Sequence, residues 1–315
     1  MDLSVDLGRL HLKNPLLAAS GTFGFGKEEA EFFDLSILGG IVTKSITIRP
    51  RVGNPPPRIV ETPAGMLNAI GLANPGVEKF IGEELPFLRS IGTRIIVSIA
   101  GETVEEYENL AAILRKEGVE ALELNISCPN VAKGGLCFSM DVSATREVVS
   151  RVRRSTDSFL ITKLSPNVTD IRPFVEACVG AGTDALSLVN TFLGMAVDWK
   201  SRQGKLANLT GGLSGPAIRP LALRLVYDAV KASAVPVIGV GGIVSADDVL
   251  EFMVTGATCV EIGTGNFLNP TLMREILRDL ERKLTAEGIS RIRDIIGTLR
   301  EGPASDYPDS VGVGE

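Results

Sequence analysis

The sequence predicts an α/β fold, a (β/α)8 barrel of the TIM type with a short N-terminal hairpin and long active-site loops. Short β-rich apolar runs recur eight times along the chain, and amphipathic stretches with helical spacing stand between most of them. An open doubly wound sheet would also alternate, but it normally has fewer strands, and no G-x-G-x-x-G follows the first strand here.

The opening LSVDLGRLHLKNP predicts the hairpin, because two alternating runs flank Gly8. The strands follow as LLAAS from Leu16, GIVTKS from Gly40, RIIVSIA from Arg94 and ALELNIS from Ala121. The second half supplies FLITKLS from Phe159, ALSLVN from Ala185, VPVIGVG from Val235 and CVEIGTG from Cys259. The helices are TVEEYENLAAILRKEG, DVSATREVVSRVRRS, DIRPFVEACVGAG, RPLALRLVYDAVKAS and SADDVLEFMVTGA, several of them closing on glycine. Two segments exceed ordinary loops. Ile46 to Lys79 is rich in Pro, Gly and Asn, and its length marks it as functional; Phe192 to Pro216, a second long excursion, follows the sixth strand and precedes its helix. Residues 1–300 form one expected domain, and the polar, turn-rich 301–315 form a tail that is loosely ordered or docked on a partner. No internal repeat demands a solenoid.

Composition narrows the function. The 315 residues are 44% hydrophobic and 22% charged, enough to bury a large core. A net charge of -6 and a pI near 5.2 argue against nucleic acid as a partner, since phosphate neutralisation needs clustered Lys and Arg. The N-terminus carries no basic-then-apolar leader and no apolar run approaches the roughly 20 residues that span a bilayer, so no membrane association and a cytoplasmic location are expected. Cys128, Cys137, Cys178 and Cys259 are scattered without a C-x-x-C pair, so neither a disulfide scaffold, a zinc site nor an iron–sulfur cluster is indicated, and no metal is expected. The single histidine, His11, makes His-based acid–base chemistry and multi-His metal sites improbable.

Barrel chemistry sits at the carboxyl ends of the strands. Those ends carry Ser20, Lys44 with Ser45, Ser98, Asn125, Lys163, Asn190 with Thr191, Gly241 with Gly242, and Gly263 with Thr264. The glycines after strands seven and eight suit backbone N–H groups converging on a phosphate, although a glycine also simply permits a tight turn. Lys44 and Lys163 end apolar strands, so each ammonium must be solvated, paired or aimed into a polar cavity, and together they favour an anion or an electron-rich ring. A strand lysine also suits a Schiff-base aldolase, but that class leaves the phosphate turns and Cys128 unexplained. Asn68, Asn125, Asn130 and Asn190 each offer a donor and an acceptor, matching a planar cyclic amide or imide better than a sugar or a plain acid; singly, each would pass for a turn residue. Cys128 falls just after the fourth apolar run, where Pro129 stops the strand and Gly134 and Gly135 loosen the loop, a position that suggests chemistry.

NPLLAASGTFGFG, TKSIT, NAIGLANPG, LNISCPN, TKLSPNVTDI, VNTF, TGGLSGPAIRP, GVGGI and IGTGNF run through nearly the whole chain in one order, and NISCPN with GGLSGPAI is far more specific than a lone Gly-rich loop. In these stretches the chain resembles the class 1 dihydroorotate dehydrogenases and, within them, the class 1B catalytic subunits. Class 2 relatives carry an N-terminal extension and use Ser where Cys128 stands here, and neither feature fits. The resemblance implies one FMN per chain and oxidation of (S)-dihydroorotate to orotate in pyrimidine (UMP) biosynthesis. Cys128 is implied as the base that takes a proton from C5 while hydride leaves C6 for flavin N5. Lys44, Asn68, Ala69, Ile70, Gly71, Leu72, Asn125, Asn130, Asn190 and Thr191 are implied to hold the substrate. Ser20, Lys44, Ser45, Ser98, Asn125, Lys163 and Val189 are implied flavin contacts, with Gly215, Gly241, Gly242, Gly263 and Thr264 around the ribityl phosphate. Ser98 departs from the Asn common at its position, and its hydroxyl makes a weaker contact.

The same resemblance implies a homodimer within a heterotetramer whose second subunit carries FAD and a [2Fe–2S] cluster and passes electrons to NAD; this chain has neither a dinucleotide fingerprint nor cluster-type cysteine spacing. Class 1A relatives use fumarate instead, which leaves the acceptor open. A dihydropyrimidine dehydrogenase-like flavoenzyme and a non-redox barrel such as the aldolase remain the alternatives.

Overall fold

The computed structural model describes residues 1–127 and 138–300. Eight parallel strands close a barrel: β1 (Leu16–Ala18), β2 (Gly40–Val42), β3 (Arg94–Ile99), β4 (Ala121–Asn125), β5 (Phe159–Lys163), β6 (Ala185–Leu188), β7 (Val237–Val240) and β8 (Cys259–Ile262). Each pairs with its sequence neighbour and β8 returns to β1. Both faces of such strands are covered, which is why they read as near-continuous apolar runs. All eight begin within the runs expected from the sequence.

The principal helices are α1 (Val104–Lys116), α2 (Val142–Ser155), α3 (Arg172–Gly180), α4 (Arg219–Ala232), α5 (Ala246–Thr255) and α6 (Leu272–Ala286). Their starts are written locally. Thr103, Asp141 and Ser245 accept from the amides of Glu106, Ala144 and Asp248, satisfying donors that a helix start leaves unpaired. No long helix separates β1 from β2, where Glu29–Glu31 and Leu35–Ile37 form short 3-10 turns; between β2 and β3 the helical stretch is Val77–Lys79, Phe80–Glu84 and Leu85–Ser90.

The hairpin pairs Val5–Leu7 with Leu10–Leu12. Leu7 and Leu12 are fully buried, and Gly8 lies against Phe159 at the start of β5, so the hairpin covers the amino end of the barrel. The two long excursions meet at the other end. Ile59–Thr62 and Gly65–Asn68 from the first pair with Thr210–Ser214 and Phe192–Met195 from the second in a four-stranded antiparallel sheet. Their pairing was not anticipated from the sequence, because each half has its partner about one barrel-half away along the chain.

Helix and strand meet closely where β7 carries Gly239. A Cβ there would lie 2.5 Å from the ring of Phe252, which α5 buries completely against the strand. Gly239→Ala should therefore overpack the core and cost about 1–3 kcal/mol, read as a lower denaturant midpoint at unchanged slope.

Candidate active site

The site begins with polar side chains that the strand ends bring into one network. The Asn125 amide donates to Ser45 Oγ at 3.0 Å; Ser45 Oγ lies 2.9 Å from Ser98 Oγ and 3.4 Å from Ser20 Oγ. Asn190 donates to Asn125 Oδ1 at 3.3 Å, and Thr191 N–H donates to Asn190 Oδ1 at 2.8 Å. Ser98 is completely buried, so it acts on the cluster through Ser45. Val189, also buried, donates its N–H to Val240 O at 2.9 Å and ties β6 to β7.

Asn68 arrives from the four-stranded sheet and donates to Gly212 O at 3.3 Å. Gly212 also faces Thr191, whose Oγ1 would clash with a Cβ at that glycine, so Asn68 and Thr191 flank one strand. The following loop is clamped from behind: Asn54 donates to Ala69 O and to Ile70 O, and Asn74 donates to Leu72 O. Gly71 and Leu72 both have positive φ, at 74° and 55°. Lys44, at the end of β2 and next to Ser45, is half-buried and forms no ion pair among the described residues. Burial, and then the nearby Arg58, hold its ammonium below the ordinary lysine value.

A third group lies at the ends of β7 and β8. Gly241 and Gly242 take φ of 135° and 75°, conformations reserved for glycine, and the turn is braced by the ion pair between Arg219 and the buried Asp248, which accepts from Val244 N–H at 2.8 Å. No described acceptor takes the N–H of Gly241, Gly242, Gly263 or Thr264. The Thr264 hydroxyl donates to Ser214 Oγ at 2.8 Å, next to Gly215.

Inside the barrel Lys163 is buried with its Nζ 2.6 Å from Glu261 Oε2 and 3.4 Å from Glu123 Oε2, and Ser187 donates to the same Glu123 oxygen at 3.1 Å. Burial alone would pull the ammonium down, but Glu123 and Glu261 outweigh it and push it above the ordinary lysine value. Burial and the neighbouring Glu123 push Glu261 up to about 8, against the pull of Lys163.

Of the sequence-derived candidates, Ser20, Ser45, Ser98, Asn125, Asn190 and Thr191 share one hydrogen-bonded network, and Cys128 and Asn130 lie outside the described residues. Glu123, Glu261, Ser187, Ser214 and Arg58 were missed. The signal for the two carboxylates was present, since a charged residue inside an otherwise apolar strand needs a partner. Tyr107 was missed too; its hydroxyl donates to Asn125 O at 2.8 Å.

Together these features define a (β/α)8 barrel suited to a phosphorylated ligand at its carboxyl end, with a cluster of hydrogen-bonding side chains alongside. The family model described as dihydroorotate dehydrogenase matches residues 2–284, and the chain belongs to that family. A Geotalea daltonii relative, dihydroorotate dehydrogenase B (NAD(+)), catalytic subunit, is 56% identical over 95% of this chain and 98% of its own length. Relatives of the same name are 55% identical in Geotalea uraniireducens, over 95% and 98%, and 49% identical in Thermoanaerobacter pseudethanolicus, over 95% and 99%.

The raised Glu261 value has a consequence for stability. The folded chain holds this proton up to about pH 8, whereas an unfolded glutamate releases it near 4.5. The contribution is full below the unfolded value and is lost as pH rises through the folded one. Melting temperatures of wild type should therefore decline across that window, and Glu261→Gln should flatten the decline; identical pH profiles would contradict the assignment.

Proposed function

We propose that this chain oxidises (S)-dihydroorotate to orotate in pyrimidine biosynthesis, as the catalytic subunit of an NAD-linked class 1B enzyme. What supports the reading is the network that links Asn125, Asn190 and Thr191, with Asn68 bonded to the strand that faces Thr191, in a chain of this family.

The residues present fit FMN. The N–H groups of Gly241, Gly242, Gly263 and Thr264, which have no described acceptor, suit its phosphate, with Gly215 beside them; Ser20, Ser45 and Asn125 suit the polar edge of its ring, the buried Ser98 acts through Ser45, buried Val189 ties β6 to β7 beneath them, and Lys163 supplies a cation. Bound there, FMN supplies the acceptor for the hydride leaving C6. Lys44, without an ion pair among the described residues, and the backbone of Ala69, Ile70, Gly71 and Leu72 hold the substrate carboxylate, while the asparagines, Asn130 included, and Thr191 take the ring amides. Cys128 accepts the C5 proton; a thiol of ordinary pKa, about 8.5, is mostly protonated at neutral pH, so turnover rises toward that value. Residues 1–300 act as one FMN-binding domain, with 301–315 as a polar tail.

The printed name of the relatives, a catalytic subunit, supports a partner, which we take to be an FAD and [2Fe–2S] subunit joining a homodimer in a heterotetramer. No described helix is long and apolar enough to cross a membrane, and we place the enzyme in the cytoplasm.

Purified protein should be yellow, and anaerobic dihydroorotate, but not dihydrouracil, should bleach it; a colourless protein that takes up no FMN would sink the reading. With the partner subunit present, NAD rather than fumarate should reoxidise it. Cys128→Ser should still bind FMN and orotate yet reduce the flavin at least tenfold more slowly at neutral pH, within the roughly 10²–10⁴-fold range of general-base catalysis; wild-type rates would place the base elsewhere.

A further inference from the structure

One cation faces two carboxylates in the barrel interior, and the hydrogen-bond inventory there does not close. Glu261 Oε2 and Glu123 Oε2 both turn to Lys163, and Glu123 Oε2 also receives the Ser187 hydroxyl. The other oxygens, Oε1 of Glu123 and Oε1 of Glu261, are buried with no partner among the described residues, although the two carboxyls lie within hydrogen-bonding reach of each other. Fully ionised, the trio would carry one uncompensated negative charge and two acceptors without a described partner inside the barrel, an expensive state. A single proton turns one acceptor into a donor and brings the trio to neutrality.

We propose that Glu261 is a positioning residue that holds this proton, donates it to Glu123, and by gaining or losing it sets how much of the Lys163 charge is available to bound FMN. The proposal rests on the reading of Lys163 as a flavin contact. Flavin reduction adds a hydride, two electrons with one proton, and leaves one negative charge on the ring; the proton on Glu261 comes from solvent and forms no bond to the flavin. New negative charge above Lys163 strengthens the hold of Glu261 on its proton, so where oxidised enzyme has begun to lose that proton, reduction takes it back.

The groups facing Glu261 are few. β4 contributes Glu123 and β5 contributes Lys163. The flanking strands β1 (Leu16–Ala18) and β7 (Val237–Val240) bring no titratable side chain, and β8 itself brings Cys259, a thiol pushed far up by burial and then by the Glu261 charge. Burial with Glu123 places the Glu261 proton within the range that potentiometry covers.

The test is the midpoint potential of bound FMN from about pH 6 to about pH 10, in wild type and Glu261→Gln, after flavin content has been measured. The two curves should coincide at the acid end and separate at the alkaline end, wild type falling more steeply and lying lower. Parallel curves, with or without a constant offset, overturn the proposal. A second readout needs no flavin: the infrared band of a protonated carboxyl should be present in flavin-free wild type at neutral pH and lost in Glu261→Gln, and its absence from wild type overturns the proposal. Should the variant fail to fold, the extra alkaline slope of wild type and its infrared band decide alone. Failure of the parent reading is seen separately, as wild type that binds no FMN, and it removes the coupling to flavin while the band still reports on the proton.

Discussion

Lys163, enclosed with Glu123 and Glu261, is the constraint on which the rest of the barrel depends. Closing eight parallel strands layers inward side chains from alternate strands, and Glu123, Ser187 and Glu261 come from β4, β6 and β8. Lys163 reaches into this group from β5, so one charge cluster ties four strands together. An isolated ammonium there would be intolerable, and removing a single partner of such a group typically costs about 3–5 kcal/mol because the others remain buried and unmatched. The cluster also fixes register. Asn125 lies two residues beyond Glu123 in β4, so this position above the cluster shares a strand face with the group that fixes it below.

The mouth of the barrel is built differently. Asn68 belongs to no barrel strand and is delivered by the four-stranded sheet, whose middle strands come from separate excursions. That sheet escaped the sequence because its pairing is long-range, and a four-residue strand such as Gly65–Asn68 carries too little alternation to announce itself. Barrel strands and helices were legible for the opposite reason. Their periodicity and caps are local, as with Thr103 before α1 and Ser245 before α5, and tertiary packing only confirms them.

Legibility of the site followed the same division. Residues at strand ends, such as Ser45, Asn125 and Asn190, could be placed by counting strands, and they do meet. Glu123 and Glu261 could not, because ALELN and CVEIG read as apolar strands with one tolerated charge, and only closure of the barrel brings β4 and β8 to the same lysine. Ser98 shows the limit of inferring a role from position alone: its hydroxyl meets Ser45, which in turn receives Asn125, so a short side chain reaches the pocket through a relay.

The two strand-end lysines then divide the electrostatic task. On the proposed function the substrate carboxylate is a permanent charge, and Lys44 suits it by forming no ion pair among the described residues, its ammonium held down by burial and then by Arg58, with Glu28 opposing them. The flavin charge comes and goes with each turnover, and a bare cation beneath it would favour the reduced state throughout the cycle. Lys163 is instead already balanced by carboxylates, one of which holds a proton near neutrality, so the field beneath the ring adjusts with the charge above it. A fixed cation binds; a balanced one lets the electrons move on.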